Sequence, residues 1–69
     1  MSWHDLPADT RATIVRALTP RQLEIVIHRH AGHSWSTIAR ALHRSEATVR
    51  GHHEAAMRRL QDKLGEDGA

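Results

Sequence analysis

Sixty-nine residues without a cysteine allow one small domain at most, with no disulfide framework and no thiolate metal site. Ten basic and eight acidic side chains leave a net charge of +2, and no apolar run is long enough for a membrane span or a signal peptide. With no Tyr or Phe and two Trp, the core must come from Leu, Ile, Val, Ala and Met, and a chain this short buries only about 60% of its unfolded surface.

Residues 1–7 read as an entry segment, with Trp3 and Leu6 able to fold over a core. A first helix is expected from about Ala8 to Leu18, carrying Ile14, Val15 and Leu18 on one side. Thr19-Pro20-Arg21-Gln22 is a helix start: Thr19 at N-cap, Pro20 at N1 where its missing N–H costs nothing, and Gln22 at N3 of a capping box. The second helix then brings Leu23, Val26, Ile27 and His30 into one arc, and Gly32 is where it should end in the left-handed conformation. Ser34 caps a third helix, about Trp35 to Leu42, whose Ile38, Ala39 and Leu42 form an apolar stripe. His43 and Arg44 break the chain. Ser45 caps a fourth helix, about Glu46 to Leu64, with Glu46 at the positive end of its dipole and Val49, Ala56 and Leu60 turned inward. Gly65 is expected to close it and residues 65–69 to form a frayed tail. The whole chain, 1–69, reads as one domain, and Met1 followed by a polar segment is expected of an intact small protein, although an excised domain would look similar.

A short capped helix, a tight turn and a longer basic helix make the pattern of a helix-turn-helix. Two helices crossing steeply need a small residue at the crossing, and Ala39 supplies it. At 100° per residue from Val49, the opposite face of the fourth helix carries Ala47, Arg50, Gly51, Glu54 and Arg58. That face has no large apolar side chain, as a helix entering a major groove requires. Between Ile25 and Leu60, six arginines stand against two glutamates, a net +4, while both chain ends are acidic. A basic middle of this kind suits a polyanion.

LTPRQLEIV (Leu18 to Val26), GHSWSTIARAL (Gly32 to Leu42) and SEATVR (Ser45 to Arg50) occur in the order and register that resemble region 4 of bacterial sigma-70-type factors and, equally, LuxR-type DNA-binding domains. The similarity runs from Leu18 to about Leu64. Ser34-Trp35 and AAMRRL (Ala55 to Leu60) lean toward the sigma type, and the spacing from Thr19 to Gly32 toward the LuxR type. The resemblance implies an all-α, four-helix domain with a central helix-turn-helix and a long C-terminal recognition helix. It also implies sequence-dependent binding of double-stranded DNA in transcription control, in the cytoplasm. The runner-up is a protein-interaction module that docks RNA polymerase or another regulator.

On this reading Ala47, Arg50, Gly51 and Glu54 face base edges, and Arg40, Arg44, Thr48 and Arg58 hold phosphates and set register. His53 departs from the aliphatic residue the families place there. It is expected either to pack edge-on and bond a backbone carbonyl or to meet a partner. A fourth helix about 28 Å long outruns its neighbours, so His53, Met57, Leu60 and Leu64 are the candidate contacts of a homodimer or another partner, unless the first helix covers them. Trp35 is expected to cover the edge of the core. Seven histidines invite a metal, but their spacings suit no ligand set. No Ser/His/acid spacing, no Gly-rich phosphate loop and no carboxylate pair in an apolar setting is present, so neither an enzyme nor a cofactor is expected.

Overall fold

The computed structural model describes residues 3–68. A 3-10 turn over Trp3–Asp5 leads into α1 (Ala8–Ala17), α2 (Pro20–His30), α3 (Trp35–Leu42) and α4 (Glu46–Gly68). The element types and their order are those expected of an all-α helix-turn-helix chain.

Local chemistry starts and stops these helices. Thr19 N donates to Gln22 Oε1 at 3.1 Å and Gln22 N to Thr19 Oγ1 at 3.2 Å, a complete capping box. Ser34 Oγ accepts from Thr37 N and Ser45 Oγ from Thr48 N, each at 3.1 Å, so the two helices of the helix-turn-helix open on the same Ser-x-x-Thr device. At the end of α2, His33 N donates to His28 O and Gly32 N to Arg29 O, with Gly32 at φ +97°. The end of α3 repeats this arrangement: Arg44 N donates to Ala39 O and His43 N to Arg40 O. There the left-handed residue is His43, at φ +56°, where a Cβ is unfavourable.

Two boundaries differ from the expected ones. The first helix ends at Ala17, and Leu18 is extended (φ −108°, ψ 151°). Pro20 holds Thr19 in extended backbone, so the chain leaves the helix early and Leu18 swings into the core, 7% exposed. At the other end, Gly65 does not close α4, which continues to Gly68. Of the expected entry segment and tail, residues 1–2 and 69 lie outside the described residues.

The core has two parts joined by α2 and α4. Ile25, Ile38, Ala39 and Val49 form one, edged by Trp35 and Leu42. Leu18, Val26 and Ala56 form the other, with Ile14, Leu23, Met57 and Leu60 against it. Ile25, Ile38 and Val49 are completely buried, each contributing about 1.5–3 kcal/mol of transfer free energy. Ala39, 6% exposed, provides the small surface at the α3–α4 crossing. The arc expected on α2 omitted Ile25, because α2 buries two faces: Ile25 toward α3 and Val26 toward α1 and α4. Val15, expected inward, is 49% exposed. The second core is fastened by Arg59, whose Nε donates to Ala17 O at 2.9 Å and satisfies a carbonyl left open at the end of α1.

Candidate nucleic-acid interface

The buried anchors of α4 decide what its other side presents. With Val49 and Ala56 at 0% exposure, the helix is rotationally fixed. Ala47, Arg50, Gly51, Glu54 and Arg58 are then all exposed, as are Arg40 on α3 and Arg44 in the turn. The surface combines four arginines with Glu46 and Glu54 and carries no large apolar side chain over its first three turns. A Cβ built on Gly51 would meet nothing within 4 Å, so the absence of a side chain there serves no internal packing.

Thr48 sits at the mouth of this surface. Ser45 Oγ donates to its Oγ1 at 2.8 Å while accepting from its backbone N–H. The Thr48 hydroxyl, on an exposed residue, can also donate to a phosphate oxygen. Arg40 and Arg44 flank the same turn on the α3 side.

Beside this surface lies a cluster that sequence reasoning missed. Trp35, at the first position of α3, is half-buried against the Ile25–Val49 core. The guanidinium carbon of Arg29 stands 4.4 Å from its ring centroid and that of Arg50 at 5.6 Å. His53 meets the indole edge-on, with centroids 5.0 Å apart and planes at 79°. Arg29 is itself tethered, its Nη1 donating to His33 O at 3.0 Å. Trp35 thus covers the core edge, as expected, and also collects one side chain from α2 and two from α4. The only hint in the sequence was a histidine on the inner arc of α4, where an aliphatic residue belongs.

His53 packs its ring edge as expected, but among the described residues it makes no hydrogen bond to a backbone carbonyl; the aromatic contact takes its place. Burial is the main cause holding its imidazole below the ordinary histidine range, and the Arg29 charge acts in the same direction. Glu54 opposes both.

The other residues expected at a partner surface are divided. Met57 and Leu60 pack within the chain, against Leu18, Val26 and Ala56. Leu64 is 57% exposed at the rim of a largely apolar groove between α1 and α4, lined by Asp9, Thr10, Thr13, Ile14 and Leu60. The first helix therefore covers part of the stripe and leaves its end open. The rings of His28 and His33 lie 5.6 Å apart, but no group of three metal-ligating side chains comes together among the described residues. No helix there is long and apolar enough to cross a membrane.

No curated protein and no solved structure gives a significant match to the chain. The family model described as bacterial regulatory proteins, luxR family, matches residues 16–63, which takes in the end of α1, all of α2 and α3, and α4 as far as Lys63. That span covers more than half of the 69 residues and contains the caps at Thr19, Ser34 and Ser45, the fully packed residues of both cores and the exposed arc of α4. The chain therefore belongs to the luxR family of bacterial regulatory proteins, whose helix-turn-helix domains bind DNA and regulate transcription rather than catalyse reactions.

Proposed function

We propose that the protein is a sequence-dependent, double-stranded DNA-binding transcription regulator that acts in the cytoplasm and inserts the first half of α4 into the major groove. Ala47, Arg50, Gly51 and Glu54 meet base edges, and Arg40, Arg44, Thr48 and Arg58 hold the two backbones. The observation that carries this reading is the two-sidedness of α4. Its inner side is sealed by Val49 and Ala56, and its outer side is exposed and free of large apolar side chains through three turns, with Arg50 on it and Arg40, Arg44 and Arg58 around it. An Arg in the first turns can give two parallel N–H bonds to guanine O6 and N7. Glu54 can accept from cytosine N4.

Three arginines on phosphates set the salt dependence. With Arg40, Arg44 and Arg58 each releasing one counterion, log affinity should fall against log salt with a slope of about −2.7. Electrophoretic shift of a random-sequence duplex at low and moderate salt tests this. Steep weakening supports groove binding.

A second reading, docking onto RNA polymerase or another regulator as the sigma-like features suggest, draws on the apolar groove between α1 and α4. It expects little DNA binding at any salt. The same groove could seat a second copy, with Leu64 as its exposed apolar contact. Two copies would then read half-sites about 34 Å apart on an imperfect palindrome. Sedimentation should show a dimer on DNA, and a monomer at high micromolar concentration both free and bound would rule the dimer out.

A further inference from the structure

We propose that Trp35 is a positioning residue for Arg50, holding its guanidinium beside the start of α3 and so setting the direction from which it reaches a base edge. This rests on the reading of Arg50 as a base contact.

Arg50 has charged alternatives to an indole. Glu46 lies four residues before it and Glu54 four after, the spacings at which helix side chains of opposite charge meet. Among the described residues Arg50 pairs with neither carboxylate. Its guanidinium carbon stands instead 5.6 Å from the Trp35 ring centroid, within the roughly 6 Å over which a cation is drawn to an aromatic face. An ion pair along the helix would occupy the N–H edge of the guanidinium. Contact through the ring face leaves that edge open, and the edge is what reads guanine.

The platform is firm enough to position something. Trp35 is seated on Ile25, Ile38, Ala39 and Val49. The Arg29 guanidinium, fixed by its bond to the His33 carbonyl, stands 4.4 Å from the ring centroid, and the His53 ring abuts the indole. Arg50 is the exposed partner of a ring packed on the core. An exposed cation–aromatic contact of this kind amounts to about a two- to fivefold effect on an equilibrium.

The test uses the full chain and the tightest duplex it selects from a random library, with Trp35→Leu, Trp35→Phe, Arg50→Ala and Trp35→Leu/Arg50→Ala profiled over single-base variants of that duplex. Trp35→Leu should weaken binding about two- to fivefold and broaden preference at the base pair that Arg50→Ala broadens. Trp35→Phe, which keeps an aromatic face, should restore most of both. In the Arg50→Ala background, Trp35→Leu should add nothing to the broadening. Trp35→Leu also removes packing, so a lower melting temperature is expected, but lost stability does not broaden preference at one chosen base pair. If Arg50→Ala is damaging while Trp35→Leu leaves preference intact, or broadens it equally with and without Arg50, the positioning role is wrong and the base contact stands. If Arg50→Ala changes neither affinity nor preference, the base-contact reading fails and the positioning role falls with it.

Discussion

Replacing Gly51 by alanine should move folding and DNA binding in opposite directions. Gly51 is the sixth residue of α4, in the helix interior, and a Cβ there meets nothing within 4 Å. The methyl group therefore causes no clash within the chain, and the backbone entropy that glycine loses on folding is reduced. The gain is about 1 kcal/mol, and for a domain of this size that raises Tm by roughly 4–8 °C. On the DNA the same methyl group stands between Ala47 and Glu54, on the arc proposed to meet base edges. Crowding one methyl into a packed interface costs about 1–3 kcal/mol, or roughly five- to 150-fold in affinity. Thermal melting followed by circular dichroism, together with fluorescence anisotropy on a selected duplex, measures both effects on one preparation. A higher Tm with unchanged affinity would show that α4 does not approach the groove at Gly51. A lower Tm would contradict the open environment described for this position.

Two further substitutions test the turn and the tryptophan cluster. His43→Gly relieves a left-handed backbone at the end of α3 and should stabilise the fold by about 1 kcal/mol; a loss of stability in urea titration would mean that the His43 side chain makes a contact worth more than the strain. His53 has a folded-state pKa below its unfolded value, so the unfolded chain takes up its proton first as pH falls. Its contribution is fully present above about pH 6.5, declines as pH drops from there toward the folded-state value, and levels off below it. Urea titrations at several pH values should show this acid loss in the wild-type chain and a shallower one in His53→Leu; identical profiles would remove His53 as its source.

What could be read from the residues alone divides along the range of the interactions. The caps at Thr19, Ser34 and Ser45 were legible because a hydroxyl and an N–H three residues on are brought together by the helix itself. The inward rows of α3 and α4 were legible because Ile38 and Val49 have only one buried side to choose. The second helix was read less well: it is buried on two sides, and a search for a single arc passes over Ile25, which faces α3. The bond from Arg59 to the Ala17 carbonyl joins residues 42 apart, and no periodicity announces it. The same holds for the gathering of Arg29, Arg50 and His53 on Trp35, which depends on how three helices cross. Of the candidate interface, the exposed arc followed from helical geometry once Val49 was placed. The lean of Arg50 away from its two glutamate neighbours did not.

The central claim, that the first half of α4 reads the major groove, is tested most directly by comparing Arg50→Ala with Arg58→Ala over a library of duplex sites at several salt concentrations. The two exposed arginines lie two turns apart on α4. Arg50→Ala should cost about 1–3 kcal/mol on the best site and relax preference at one base pair. Arg58→Ala should weaken all sequences alike and reduce the salt slope by about one ion. An Arg50→Ala variant with wild-type affinity and wild-type preference would contradict the placement of this helix in the groove.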